Sequence, residues 1–102
     1  MNNTQFIKTN ERNEMVRIIS QSTPVARKDH SCMACESIND QGCEGLSFAD
    51  LRKVVEAKKN GFKVKKGDIY VRQFNEFEGR TYTFIAIPAM HEICLEYDFY
   101  AQ

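Results

Sequence analysis

Two pairs of potential metal ligands, far apart in the chain, constrain its fold more than any other feature. Cys32 and Cys35 are separated by two residues, and so are His91 and Cys94. Structural zinc takes four nitrogen or sulfur ligands in a tetrahedron, and two such pairs supply that set with no open position. The spacing therefore predicts a fold that brings the two pairs together around one structural zinc ion.

The elements expected around these pairs have the order of a known zinc architecture. A tight polar turn at Cys32, a zinc knuckle, holds the first pair. The segments IYVRQFN and RTYTFIAIPA are rich in β-branched and aromatic residues and predict a β-hairpin. Pro88 suits the first position of a helix, AMHEICLEYDFY, whose first turn carries the second pair on one face. We therefore predict an α+β, treble-clef-like domain.

A helix is expected between the knuckle and the hairpin, at about residues 46–61. Ser47 is a natural N-cap, Asp50 stands three residues later at the capping-box position, and Gly61 ends the segment. The residues at helical spacing that we expect to face the core are Phe48, Leu51 and Val55.

Length and composition limit the organisation of the chain. Its 102 residues, 42% apolar and 27% charged, suit one ordinary globular domain. We expect a flexible N-terminus over residues 1–12 and a single zinc-binding domain over residues 13–102. The segment 13–20 fits a short helix or a strand equally well, and the pattern does not separate the two.

The N-terminus lacks the apolar region of a secretion signal, and no run of residues is long and apolar enough to span a bilayer. A cytoplasmic location follows as the expectation. Cytosolic thiols are kept reduced, so the four cysteines are expected to be metal ligands or free thiols rather than disulfides.

Other roles for the sulfur atoms stay open at this level. A C-x-x-C motif can be a redox dithiol, although that motif normally opens a helix in a βαβ unit, which this sequence does not predict. Four inert thiols with an ordinary core histidine are a further alternative. His30 and Cys43 are spare candidates that could replace a ligand, and His30 could instead orient the knuckle through a hydrogen bond.

A resemblance supports the zinc interpretation. The segment ARKDHSCMACESI, followed by KKGDIYVRQF and a terminal HEIC, resembles a loose group of small, largely uncharacterised zinc-finger proteins of bacteriophages and bacteria. It covers residues 26–38 and 64–94. The resemblance implies that the four zinc ligands are Cys32, Cys35, His91 and Cys94.

The chain departs from that group in two places. It inserts NDQGCEGLSFADLRKVVEAKKNGF between the knuckle and the hairpin, and Glu36 stands where the group usually has glycine. Neither departure removes a ligand, but the insertion implies a remodelled surface.

The formal net charge is zero, yet the charges are unevenly distributed along the chain. Residues 51–66 carry seven basic side chains against the single acid Glu56, whereas residues 89–102 carry acids and no Lys or Arg. A basic helix and turn could contact phosphates, although such runs are more often a solvated face. The candidate nucleic-acid contacts are Arg52, Lys53, Lys58, Lys59, Lys63, Lys65 and Lys66.

The function expected from these features is non-enzymatic. The sequence contains no G-x-S-x-G, no phosphate-binding glycine loop and no H-E-x-x-H. We expect a phage or mobile-element accessory factor that binds a host protein, with Tyr97, Phe99 and Tyr100 as candidate interface anchors. The alternative is a nucleic-acid-binding zinc-finger protein that uses the basic segment 51–66.

Overall fold

The computed structural model of the chain describes residues 5–9 and 15–101. These residues form an α+β arrangement, as predicted. In chain order the elements are β1 (Gln5–Thr9), β2 (Met15–Ser22), β3 (His30–Ser31), α1 (Met33–Gln41), α2 (Phe48–Lys59), β4 (Lys63–Val64), β5 (Val71–Phe77), β6 (Arg80–Ala86), α3 (Pro88–Glu96) and a 3-10 turn at Phe99–Ala101. No helix in this part of the chain is long and apolar enough to cross a membrane.

The main sheet has four antiparallel strands in the order β1-β2-β5-β6. The segment that fitted either helix or strand is therefore a strand from Met15 onward. Residues 5–9, predicted to be loose, form the edge strand β1, while residues 1–4 and 10–12 of that predicted flexible segment lie outside the described residues. A second, two-stranded sheet joins β3 to β4.

The predicted hairpin is confirmed as β5 and β6. Its strands pair in register from Val71 opposite Ala86 to Phe77 opposite Arg80. The two residues between them, Glu78 and Gly79, have φ of 53° and 80°. Two left-handed residues in succession match the twist of antiparallel strands, which is why a glycine is favoured here.

Helix α1 was not predicted, because the polar residues after the knuckle suggested a turn and a loop. That prediction is wrong: the chain turns once at Cys32 and becomes helical from Met33 to Gln41. Ala34 and Ile38, at i and i+4, are buried and fix the helix against the core. Gly42 follows with φ of 85° and donates its N–H to the carbonyl of Ile38, which ends the helix.

Helix α2 begins as predicted, with the Ser47 hydroxyl accepting a hydrogen bond from the N–H of Asp50 at 3.2 Å. The predicted buried face is wrong. Phe48 is 88% exposed and Val55 is 52% exposed, and Leu51 is only half-buried. The buried residues of this helix are Asp50, Val54 and Ala57.

A polar network explains why α2 turns an aspartate inward. Tyr97, at the end of α3, donates its hydroxyl to Oδ2 of Asp50 at 2.9 Å. The same hydroxyl accepts the N–H of Ser47 at 3.2 Å. The Tyr97 bond is the largest influence that lowers the pKa of Asp50 below its ordinary value, and Lys53 lies 3.6 Å away on the same helix. The start of α2 is thus held against the end of α3.

We predict that Tyr97→Phe lowers the thermal midpoint at neutral pH and that this loss becomes smaller in acid. A carboxyl whose folded pKa is depressed stabilises the protein above its unfolded pKa of about 3.9, and the contribution is lost as pH falls through the folded pKa. The difference between the thermal midpoints of parent and variant should therefore narrow as pH falls through the folded pKa of Asp50, and the part that remains measures the Ser47 bond. Tyr82→Phe is the matched control, since Tyr82 is also half-buried. A deficit for Tyr97→Phe that is equal at both pH values would contradict the Asp50 bond.

Candidate metal centre

The first predicted ligand pair lies at a strand-to-helix turn. Strand β3 pairs with β4, and the N–H of Cys32 then bonds to the carbonyl of Phe62 at 3.2 Å. Cys32 is the N-cap of α1, and its Sγ accepts the N–H of Cys35 at 3.3 Å. Because Cys32 caps the helix and Cys35 lies in its first turn, both side chains point to the same side. Both are buried, with 1% and 2% of their surface exposed.

The second pair lies on α3, further along the helix than predicted. Pro88 is the first residue of α3, as expected, so His91 and Cys94 occupy its first two turns rather than the first alone. Cys94 is fully buried and donates its thiol to the carbonyl of Ala34 at 3.4 Å. Ala34 stands between the two cysteines of the first pair. The structure thus brings Cys94 onto the C-x-x-C turn.

A second contact joins the same two regions from the other direction. The N–H of Ile87, the residue before α3, donates to Sγ of Cys32 at 3.2 Å. Cys32 therefore receives two backbone N–H groups, one from its own helix and one from the start of α3. Sulfur is a weak acceptor as a thiol and a much stronger one as a thiolate, so this surrounding favours negative charge on Cys32.

His91 reaches the same cluster through a tyrosine. Its ring is almost completely buried, and Nδ1 lies 2.8 Å from the hydroxyl of Tyr100. That hydroxyl also interacts with the thiol of Cys94. The ring of His91 packs against Phe84 on β6, with 5.5 Å between ring centroids. Sheet, helix and C-terminal turn together hold the imidazole beside the cysteines.

The pKa values of these groups report a crowded, buried cluster. A hydrogen bond from the Cys35 thiol is the largest influence that lowers the pKa of Cys32, and the N–H groups of Ile87 and Cys35 act in the same direction. The pKa of Cys35 is raised, because its thiol donates that bond and is buried. Burial, followed by the proximity of Cys94, raises the pKa of Tyr100.

The four side chains have the donor chemistry of a zinc site, three thiols and an imidazole. Within residues 5–9 and 15–101, no group of three or more His, Cys, Asp or Glu side chains is arranged as a metal site. The direct contacts instead form a network of thiols, backbone groups and the Tyr100 hydroxyl. Cys32, Cys35, His91 and Cys94 are the residues that could hold the ion.

The two spare candidates lie outside this network. His30 is half-buried on β3, and its ring lies against Tyr70 with 5.2 Å between centroids. Cys43 follows α1 in the loop to α2, where it is partly buried against the edge of the core. Neither contacts the cysteines of the cluster through a hydrogen bond found in the described part of the chain.

The candidate nucleic-acid contacts on residues 51–66 are almost all exposed, but the fold supplies acids to several of them. Lys53 lies 3.6 Å from Asp50, Lys59 lies 3.4 Å from Glu56, and Lys65 lies 3.2 Å from Asp29. Asp29 and Asp50 stand outside the segment in sequence. The net positive charge of this surface in the fold is therefore smaller than the count along residues 51–66 indicates.

The three candidate interface aromatics are used within the domain. Tyr97 bonds to Asp50 and Ser47, Tyr100 bonds to His91, and Phe99 packs against the ring of Tyr97 with 5.7 Å between centroids. All three are partly buried against the main core. The sequence predicted that the helix continues through Tyr100 and that these residues are interface anchors. The helix prediction is wrong at its end, because α3 stops at Glu96 and the chain then places the three rings against the core.

Burial predicts how the four thiols react. We expect a thiol reagent to modify Cys43 quickly in the native protein and the other three cysteines only after unfolding, since reactivity requires access. Counting modified thiols against time, with and without denaturant, measures this. Cys43→Ser should remove the fast phase. A fast phase that persists in that variant would show that the cluster opens readily.

Comparison with protein-family models, with curated proteins and with solved structures finds no match for this chain. The resemblance to small zinc-finger proteins therefore rests on the residues that carry it.

Proposed function

We propose that this chain is a non-enzymatic interaction protein whose fold is held by one structural zinc ion. The proposed ligands are Cys32, Cys35, His91 and Cys94. The support is convergence: Cys94 bonds to the carbonyl between the first two cysteines, and Tyr100 links His91 to Cys94. A closed set of four protein ligands leaves no position for substrate, which makes the proposed ion structural rather than catalytic.

The redox alternative has one feature in its favour and one against it. The C-x-x-C motif does open a helix, contrary to expectation, and Cys32 caps that helix. However, the sheet around it is antiparallel rather than part of a βαβ unit. Cys32 and Cys35 are 1% and 2% exposed, whereas redox-active cysteines need access to their partners. Burial therefore favours the zinc proposal.

The zinc proposal predicts one zinc ion per chain by elemental analysis of the purified protein. His91→Ala and Cys94→Ala should unfold or aggregate, because structural zinc contributes on the order of 10 kcal/mol of apparent binding energy. Cys43→Ser is the matched control and should keep both metal and fold. A metal-free, well-folded preparation that takes up no zinc would end the proposal. Loss of metal from Cys43→Ser, with retention in His91→Ala, would reassign the ligands.

An exposed apolar strip on α2 carries the interaction proposal. Phe48 and Val55 are 88% and 52% exposed, and half-buried Leu51 lies between them at helical spacing. At this exposure, the Phe48 ring leaves apolar surface in contact with water and contributes little burial to the stability of the fold. Together these three residues, the α2 strip, form the kind of i, i+3, i+7 row that docks into a partner.

Charge beside the strip indicates the chemistry of the partner. Arg52 lines the same shallow groove as the strip, and Lys58 is exposed on the same helix. Glu56 and Lys59 also line the groove, but they pair with each other at 3.4 Å and add no net charge. The strip therefore suits a protein segment with apolar anchors and acidic flanks. In a phage or mobile-element accessory factor, that segment would belong to a host protein.

The experiment is affinity capture from host lysate with matched surface variants. Phe48→Ser and Val55→Ser should each lose a specific partner that the parent retains. Phe74→Ser and Leu95→Ser are the controls, since these residues are exposed apolar side chains on other elements, at 39% and 45%. The captured protein should then bind the purified chain directly, and its binding segment should be acidic. Equal loss in the controls, or binding only between copies of the chain, would contradict the assignment.

Salt dependence separates this proposal from nucleic-acid binding by residues 51–66. Contacts with phosphates release counterions, so affinity falls by orders of magnitude between low and moderate salt. An apolar protein interface changes little. Micromolar binding of mixed-sequence DNA or RNA at about 150 mM salt, abolished by Lys58/Lys59/Lys63→Glu with the fold intact, would favour the nucleic-acid function instead.

A further inference from the structure

An open cleft lies where the end of β2 and the β2–β3 connection meet the start of β5. Its volume is about 460 Å³. Arg27, Lys28 and Arg72 contribute three cations to its lining, and His30 and Tyr70 contribute aromatic rings. We call this site the basic cleft. Its volume falls within the range of roughly 300 to 1,000 Å³ that is usual for small-molecule sites.

Within the part of the chain that the structure describes, no acidic side chain pairs with the cations of the basic cleft. No Asp or Glu belongs to its lining, and none of the ion pairs found among the described residues involves Arg27, Lys28 or Arg72. Asp29 is the neighbouring acid in sequence, but its carboxylate accepts the N–H of Lys66 at 2.8 Å and bonds to Lys65 at 3.2 Å. Three positive side chains therefore share one concave site in a chain with no net charge.

The backbone around the cleft is fixed by several hydrogen bonds. The N–H of Tyr70 bonds to the carbonyl of Pro24 at 3.0 Å, and the N–H of Ala26 bonds to the carbonyl of Asp68 at 2.8 Å. A further bond joins Gly67 to Ala26 at 2.9 Å, and Val25 forms a β-bridge with Ile69. These bonds hold the β2–β3 connection, which carries Arg27 and Lys28, against the start of β5 before any ligand binds. Less conformational entropy is then lost on binding.

The walls of the cleft are not equally polar. Pro24 and Val25 form an apolar side, and Val25 is 58% exposed. The ring centroids of His30 and Tyr70 lie 5.2 Å apart, and the angle between the ring planes is 34°. Tyr70 is buried, whereas His30 is only half-buried. A ligand here would meet both cations and apolar or aromatic surface.

We propose that the basic cleft binds a nucleoside phosphate, either free or as one unit of a single-stranded nucleic acid. Arginine guanidinium groups match the oxygens of a phosphate in paired hydrogen bonds, and two arginines line this site. The site is larger than a bare phosphate requires, and its apolar and aromatic lining gives a base a surface to contact. The basic cleft shares no residue with the α2 strip, so this proposal goes beyond the proposed function and does not depend on it.

Calorimetric titration of the full chain tests the phosphate requirement. AMP should bind saturably, and adenosine should bind much more weakly or not at all. Arg27→Gln and Arg72→Gln should each weaken AMP binding about tenfold or more, the loss typical of removing a hydrogen bond to a charged group. Arg52→Gln, an exposed arginine on α2, is the matched control and should bind AMP as the parent does.

An oligonucleotide of about ten nucleotides distinguishes the two sources of the phosphate. If the ligand is a strand, its affinity should exceed that of AMP and fall roughly 20-fold between about 50 and 200 mM salt, as expected for three phosphate contacts. If the ligand is a free nucleotide, the oligonucleotide should bind no more tightly than AMP. Arg27→Gln should weaken binding in both cases.

The proposal would be overturned by equal binding of adenosine and AMP, by unchanged binding in the Arg27→Gln/Arg72→Gln double variant, or by tighter binding of a glutamate-rich peptide than of either nucleotide probe. Absence of saturable binding by both nucleotide probes would overturn it as well. Amide chemical shifts of the parent protein give a readout that needs no variant. AMP should perturb residues 24–30 and 70–72, and perturbations confined to α2 would contradict the site.

Discussion

The contact between the first turn of α1 and α3 is the interaction on which the rest of the fold depends. The thiol of Cys94 bonds to Ala34, and the N–H of Ile87 bonds to Cys32. These two bonds join the beginning of one helix to the beginning and middle of another, with α2 and the hairpin between them in the chain. Since Cys32, Cys35 and Cys94 are all buried, each sulfur atom needs partners within the protein. The zinc ion that we propose would lie where those partners meet.

The position of α2 depends on the end of α3, and this position determines which side chains α2 exposes. Because Tyr97 lies directly after α3, its bonds to Asp50 and Ser47 fix the first turn of α2 from the inside. Small Ala57 is buried two turns later, which allows the helix to approach closely. With Asp50 and Ala57 directed inward, helical geometry directs Phe48 and Val55 toward solvent. The exposed α2 strip is thus a consequence of a buried polar contact.

The sequence predicted the parts of the fold that depend on local chemistry. The Ser47 cap, the hairpin and the start of α3 at Pro88 follow from capping, turn and strand preferences, and the structure has them. Helix α1 was missed because its packing uses only Ala34, Cys35 and Ile38 among polar neighbours. The buried face of α2 was wrong because hydrophobic periodicity cannot anticipate a tyrosine hydroxyl from α3. The sequence singled out the C-x-x-C and H-x-x-C pairs, and their assignment as ligands stays a prediction, but it gave no sign that Tyr100 would contact His91.

The distribution of charge likewise differs between the sequence and the folded chain. The densest basic run along the chain, residues 51–66, lies on α2 and the residues after it. In space, however, Lys53, Lys59 and Lys65 each lie within 4 Å of a carboxylate. Arg27 and Arg72 are far apart in sequence and form no run, but antiparallel pairing and the bonds at Ala26 and Tyr70 bring them to one cleft. The field at a surface depends on unpaired charges that converge, because paired charges largely cancel beyond their own contact. A small anion would therefore favour the basic cleft, and a partner at the α2 strip would bind mainly through its apolar side chains, with Arg52 beside them.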